Sequence, residues 1–264
     1  SLNTKFIDKS DVLFIDKAIA VQASYESQDS KILPYTLSTA QSAGWIWDIQ
    51  LQTRKGIGHV YSSQHINTQQ AERELLNYLG KKQLPENAKL LDIKCGHREV
   101  FWKNNCVAIG MAAGFLEPLE ASALVLVELS ANFVRDNLPK YDDLMPIIAK
   151  RFNQIQLNRW NDIIDFLKLH YLLSNRTDNQ FWLDNKSPAT IPDSLKESLQ
   201  IWRSRTPNQH DFPLADNVFP AASYQYVLYG MDFDFTPNNL EAIEAEEKMA
   251  QRMFAENKQI TNKY

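Results

Sequence analysis

Glycine is scarce, with eight residues in 264. None falls in G-x-G-x-x-G or G-x-x-x-x-G-K, so the usual loops that cradle a phosphate are missing from these residues. Two cysteines, Cys95 and Cys106, make neither a disulfide framework nor a metal-ligand pattern. The five histidines, His59, His65, His97, His170 and His210, share no ligand spacing, so no metal is expected. No G-x-S-x-G is present, and neither cysteine has an obvious partner base in sequence. No apolar run is long enough to span a bilayer and no signal peptide opens the chain, so a cytoplasmic setting without a membrane partner is expected. There is no excess of basic residues either. Twenty-eight Lys and Arg against 32 Asp and Glu leave a net charge of −4, which argues against a general nucleic-acid binder.

What is present is material for a core: 44% hydrophobic and 11% aromatic residues. The first part reads as strands. "DVLFIDKAIAVQASY" is rich in strand formers and suits two short strands or one bent one. "GWIWDIQLQ" alternates, placing Trp45, Trp47, Ile49 and Leu51 on one face and Asp48 and Gln50 on a solvent face. "TRKG" is a turn and "IGHVYSS" the returning strand of a hairpin. "NTQQAERELLNYLG" is a helix, started by Asn67 or Thr68 and ended by Gly80. "AKLLDIKCGHREVFWKNNCVAIG" supplies two further strands. From Glu117 the pattern turns helical. "EPLEASALVLVELSANFVRDNL" is apolar on nearly all sides, as in a buried helix. "LMPIIAKRFNQIQLNRWNDIIDFLKLHYLLS" is a long amphipathic helix, and "PDSLKESLQIWRSR" a shorter one with Pro192 near its first turn. "NLEAIEAEEKMAQRMFAENKQI" is a charged terminal helix. Strands followed by helices imply an α+β fold. The change of texture divides it into a strand-rich region, 1–110, and a mainly helical region, 111–264.

"GFLEPLEASA" places Glu117 and Glu120 three apart around Pro118. Two readings stand side by side. Proline suits a first helical position, and acids in a first turn complement the helix dipole. The same helix start can hold a small anion, with "ASA" permitting close approach to the backbone. An acid facing that site from an apolar surround would have a raised pKa and could transfer protons. The paired tryptophans likewise suit either a core wall or a ligand platform.

"GWIWDIQLQTRKGIGHVYSSQHI", followed by "REVFWKNNCVAIGMAAGFLEPLEASA" and "KLHYLLSNRTDNQFWLDN", resembles the flavin-dependent tryptophan halogenases and halogenase-like proteins. Their W-x-W-x-I-P stands here as "WIWDIQ", and their E-P-L-E-S-T-G as "EPLEASA". The resemblance runs over most of the chain and is to the second half of a family member; the flavin-binding G-x-G-x-x-G and catalytic lysine of the first half lie outside these residues.

The resemblance implies a chemistry. Reduced FAD, oxygen and halide yield hypohalous acid, which travels through a tunnel to the lysine and halogenates an indole-like or other electron-rich ring. It makes Glu120 the catalytic acid and places halide at the backbone of Ser122 and Ala123. Gly114, Phe115, Leu116 and Pro118 border the flavin. Trp45 and Trp47 separate substrate from flavin. Phe219 and Ser223, in "DNVFPAASYQYVLYG", stand where the tryptophan-specific enzymes have tryptophan and asparagine, which implies an aromatic cavity not built for the amino-acid part of free tryptophan. Gln50 replaces the motif proline and frees the backbone after Ile49. A separate flavin reductase is the implied partner, a homodimer stays open, and this chain alone is expected to bind flavin weakly and to be inactive. Two alternatives remain: a flavin monooxygenase that hydroxylates instead, and a non-catalytic fragment or binding module.

Overall fold

The computed structural model describes residues 3–25, 27, 31–214, 216–236, 248–249, 251–253 and 255. Its largest sheet has five antiparallel strands in the order β3-β4-β5-β2-β6. These are β2 (Lys17–Ala23), β3 (Leu37–Gln41), β4 (Gly44–Gln50), β5 (Lys55–Tyr61) and β6 (Lys89–Asp92). The expected hairpin is β4–β5, with Gln50 opposite Lys55 and Trp47 opposite Gly58. A second sheet joins β1 (Phe6–Asp8), β7 (Gly96–Arg98) and β10 (Gly114–Phe115). A two-stranded ribbon pairs β8 (Trp102–Lys103) with β9 (Cys106–Val107). Residues 88–110 thus carry four short strands shared among three sheets, where the sequence suggests two.

Helix α1 (Thr68–Leu79) begins and ends as its residues require. The Asn67 side chain accepts from Gln70 N at 2.9 Å, and Gly80 closes the helix in the left-handed region at φ 63°. Ala71 and Leu75 of α1 join Ile46 of β4 in one core. This corrects the expected orientation of β4. Asp48 is not solvent-facing: it is 4% exposed, and Tyr78 of α1 donates its hydroxyl to Asp48 Oδ2 at 3.2 Å. The pleat sends Ile46 and Asp48 under the helix and turns Trp45, Trp47 and Ile49 to the other face.

Helix α2 (Ala123–Asn137) differs from the helix expected over 117–138. It starts six residues later, and among its residues only Leu126 and Ser130 are buried. Leu124 is 82% exposed. Helix α3 (Met145–Leu173) is the axis of the molecule, with 29 residues. It contributes to every core cluster: Tyr171 to the one under the large sheet, Trp160, Ile163 and Leu167 to a second with α2, and Phe166 and Leu169 to a third. The first two clusters draw on residues from both sides of position 110. Helices α4 (Gln180–Asp184), α5 (Asp193–Trp202) and α6 (Ala221–Gly230) complete the fold, with Pro192 at the α5 N-cap. The expected terminal helix lies largely outside the described residues. No helix among the described residues is long and apolar enough to cross a membrane.

Candidate functional site

The bend between β10 and α2 forms one side of a cavity of about 730 Å³. Trp45, Trp47 and Ile49 of β4 form a wall, and Gln156 and Trp160 of α3 also line it. The two indoles meet edge to face, with centroids 6.3 Å apart. Room for the Trp47 ring comes from Gly58 directly across the strand pair, where a Cβ would lie 2.1 Å from the indole. Gly114, Phe115, Leu116, Pro118, Ser122 and Ala123 all border this cavity. Phe219 and Ser223 lie outside its lining.

The structure answers why two acids precede α2. Neither lies in its first turn. Residues Leu119–Ala121 make a tight helical turn in which Glu120 and Ala121 take left-handed backbone angles, φ 63° and 50°. These are uncommon for residues with a Cβ. The turn sends the two carboxyls to different environments, and two adjacent residues of α3 receive them: Tyr171 meets Glu117 and His170 meets Glu120.

Glu117 is the buried acid, 2% exposed. The Tyr171 hydroxyl donates to its Oε2 in a short hydrogen bond, and Trp45 Nε1 donates to the same oxygen at 3.3 Å. Its other oxygen, Oε1, has no hydrogen-bond partner among the described residues. Burial pushes the carboxyl up to about 7. The raised pKa expected of a cavity-facing carboxyl therefore falls on Glu117. Glu120 behaves oppositely. Its side chain is 40% exposed, and the hydrogen bond with His170 holds its carboxyl below the usual range. It is a carboxylate at neutral pH, suited to accepting a proton.

Lys168, on the same helix, is fully buried and donates to Val12 O at 3.2 Å and Asn185 Oδ1 at 2.8 Å. Burial lowers it to about 7. These two groups give a pH signature, to which Asp162 and Asp165 of α3, raised by burial to about 6 and about 7, add on the acid side. Between about 4.5 and 7 the folded chain holds a proton on Glu117 that the unfolded chain has lost, so stability falls as pH rises. Between about 7 and 10.5 the unfolded chain holds a proton that folded Lys168 has lost, so stability rises with pH. Denaturant titrations from pH 5 to 9 are expected to show a minimum near neutrality, each titrating group adding up to about 1.4 kcal/mol per pH unit to its arm. Glu117→Gln is expected to lessen the slope of the acid arm by up to that share, leaving the part that Asp162 and Asp165 supply, and an unchanged arm would remove Glu117 as a source.

On the far side of the bend, His170 meets the Phe166 ring edge on at 4.9 Å, and Phe166 packs on Phe219 at 4.2 Å. Phe219 thus sits on the Glu120 side, connected through α3. Ser223 opens α6, its N–H bonded to Pro220 O at 2.9 Å. Sequence reasoning missed His170, Tyr171 and Lys168. The available signal was "FLKLHYLL", where Lys168, His170 and Tyr171 interrupt an apolar run.

A second constellation has the order of a nucleophilic triad. His65 lies 2.8 Å from Ser62 Oγ and 3.0 Å from Asp184 Oδ2. Ser62 is only 1% exposed, so a substrate has no approach to its hydroxyl, and the arrangement serves packing.

The fold as a whole is similar to that of solved flavin-dependent halogenases. BrvH from Brevundimonas superposes with a TM-score of 0.83 at 31% identity, over 97% of this chain and 50% of that one. Residues 1–245 match the tryptophan halogenase family model, and the chain belongs to that family. The crystal structure of a tryptophan halogenase from Shewanella frigidimarina is similar at 46% identity with a TM-score of 0.91, covering 98% of this chain and 49% of that one. Tryptophan 6-halogenase SttH of Streptomyces toxytricini is 34% identical over 231 residues, 87% of this chain and 44% of that protein. The chain therefore spans about half the length of the relatives it matches.

Proposed function

We propose that the chain is the C-terminal portion of a flavin-dependent halogenase acting on an indole-like or other electron-rich aromatic. The observation that carries this reading is the bend at 110–123 bordering a cavity walled by Trp45 and Trp47, with Glu120 presented on its own turn. The cavity fits a planar aromatic cofactor. Its lining is mostly apolar, and Gln156 Nε2, 2% exposed overall, has no hydrogen-bond partner among the described residues. Gly114, Phe115, Leu116 and Pro118 would hold the flavin on this side, and the rest of a longer protein would hold most of it. Reduced FAD, when bound, supplies the oxygen activation that turns halide into an electrophile.

This chain's residues do the remainder. Trp45 and Trp47 keep the ring to be halogenated apart from the cofactor. The first N–H groups of α2, at Ser122 and Ala123, attract halide through the positive end of the helix. Phe219 and Ser223 contribute to holding the aromatic substrate. Glu120 takes the proton that the ring loses when halogen replaces hydrogen. A separate reductase supplies reduced flavin, since no nicotinamide-binding motif occurs in these residues.

The test is turnover of the full-length protein with reduced FAD, oxygen and an indole, with and without bromide. A product heavier by bromine minus hydrogen, formed only with bromide, is expected. A hydroxylated product independent of halide would make the protein a monooxygenase, and no product across a panel of aromatics would favour a binding role. Ala123→Leu is expected to raise the halide concentration for half-maximal turnover roughly tenfold, about 1.4 kcal/mol of binding, with flavin reoxidation little changed. Unaltered halide dependence would move the anion site elsewhere.

A further inference from the structure

His170 has both ring nitrogens committed to oxygen. Nδ1 lies 2.8 Å from the Phe166 carbonyl one turn earlier on α3, and Nε2 lies 3.2 Å from Glu120 Oε1. A carbonyl only accepts, so Nδ1 carries a proton whenever that bond is made. A bare Nε2 would then point its lone pair at a carboxylate lone pair. The contact therefore contains a shared proton: imidazolium facing carboxylate, or imidazole facing carboxylic acid. The α3 backbone sets the tautomer, leaving Nε2 as the nitrogen that exchanges a proton with Glu120. The ring is also held by its edge-to-face contact with Phe166, which packs on Phe219.

We propose that His170 is the positioning residue and proton partner of Glu120, orienting its carboxylate and sharing the proton that Glu120 takes from the substrate ring. This rests on the halogenase reading above. The balance is simple. When carbon–halogen bond formation leaves a protonated ring, the C–H bond breaks, its electron pair restores aromaticity, and the proton moves to Glu120. The pair then holds one proton more than at rest, and releases it to water on the open side, where Glu120 is 40% and His170 22% exposed. The neighbouring titratable groups are Glu117 on the same bend and Lys168 and Tyr171 on α3. Glu117 lies close enough to feel the His170 charge.

The role separates from simple packing in variants of the full-length protein. His170→Gln keeps an N–H that can reach Glu120 but carries no charge; His170→Leu keeps neither. His170→Leu is expected to lower kcat at least roughly tenfold, less than the roughly 10²–10⁴-fold at stake in Glu120 itself. His170→Gln is expected to recover part of kcat but to shift the acid limb of the kcat pH profile upward, because the carboxylate has lost a cationic partner. Independently of activity, ¹³C-carboxyl NMR is expected to place the Glu120 titration below the ordinary glutamate range in the parent and nearer to it in His170→Leu.

Parent-like kcat, pH profile and Glu120 titration in both His170 variants would overturn the proposal. So would full recovery by His170→Gln, pH profile included, since that would make the contact a plain hydrogen bond. If Glu120→Gln itself turns over normally, the halogenase role of Glu120 falls and the proposal with it, whatever the titration shows. If Glu120→Gln is inactive while both His170 variants are normal, only the proposal falls.

Discussion

Glu120→Gln in the full-length protein is expected to lose halogenation by roughly 10²–10⁴-fold, while oxygen still reoxidises the flavin. The substitution leaves the fold little to lose. Glu120 is 40% exposed and stands before α2 rather than in its first turn, so no dipole contribution goes with it. The new amide can still hydrogen-bond His170 Nε2, its N–H donating when that nitrogen is bare. Stability is therefore expected to change by less than about 1 kcal/mol. A loss of turnover a hundredfold or more in a protein that melts normally can come only from chemistry or from binding, and a kcat–KM split separates the two. Glu117→Gln is the comparison. Trp45 and Tyr171 already donate to one oxygen of Glu117, so the amide can preserve both bonds, and a smaller loss is expected. Parent-like turnover in both variants would defeat the catalytic reading of the bend.

Gly58→Ala is expected to damage fold and site together. The added Cβ would lie 2.1 Å from Cζ2 and 2.2 Å from Cη2 of Trp47, atoms of a rigid ring rather than of a flexible tip. β4 and β5 are paired on both sides of that position, so the backbone has little freedom to yield. The indole must turn away. Overpacking of this kind costs about 1–3 kcal/mol. The displaced ring also disturbs the wall that Trp45 and Trp47 give the cavity, and a misplacement of about 1 Å in a positioning group can cost roughly 10²-fold in rate. Thermal melting checks the first effect. The ratio of halogenated product to flavin oxidised checks the second and is expected to fall. A variant with unchanged melting and coupling would show that Trp47 does not depend on the missing Cβ.

Much of the fold was legible because the deciding interactions are local. Asn67 and Gly80 bound α1 through bonds to their own neighbours, and a short turn between alternating runs forces β4 and β5 to pair. The family was legible for a similar reason: its motifs are short, contiguous stretches. The errors occurred where partners distant in sequence decide. Alternation alone makes Asp48 a surface residue, until Tyr78 arrives from another element and gives its carboxylate a partner. A run of apolar residues makes α2 look buried, whereas Leu124 is exposed among the described residues.

The acids of "EPLEASA" draw the same line most sharply. The amino-acid sequence determined that two carboxylates, a proline and three small residues occur together in a family motif. It also determined the long α3 pattern that carries "LKLHYLL". Only the tertiary structure decided which acid is which. Two residues with identical side chains, three apart, differ because the tight turn at Leu119–Ala121 faces one toward Trp45 and Tyr171 inside the core and the other toward His170 at its edge. Burial raises the proton affinity of Glu117, and the hydrogen bond with His170 lowers that of Glu120. Acidity is set by surrounding dielectric and partners, and here the partners lie far along the chain, Tyr171 54 residues from Glu117 and His170 50 residues from Glu120.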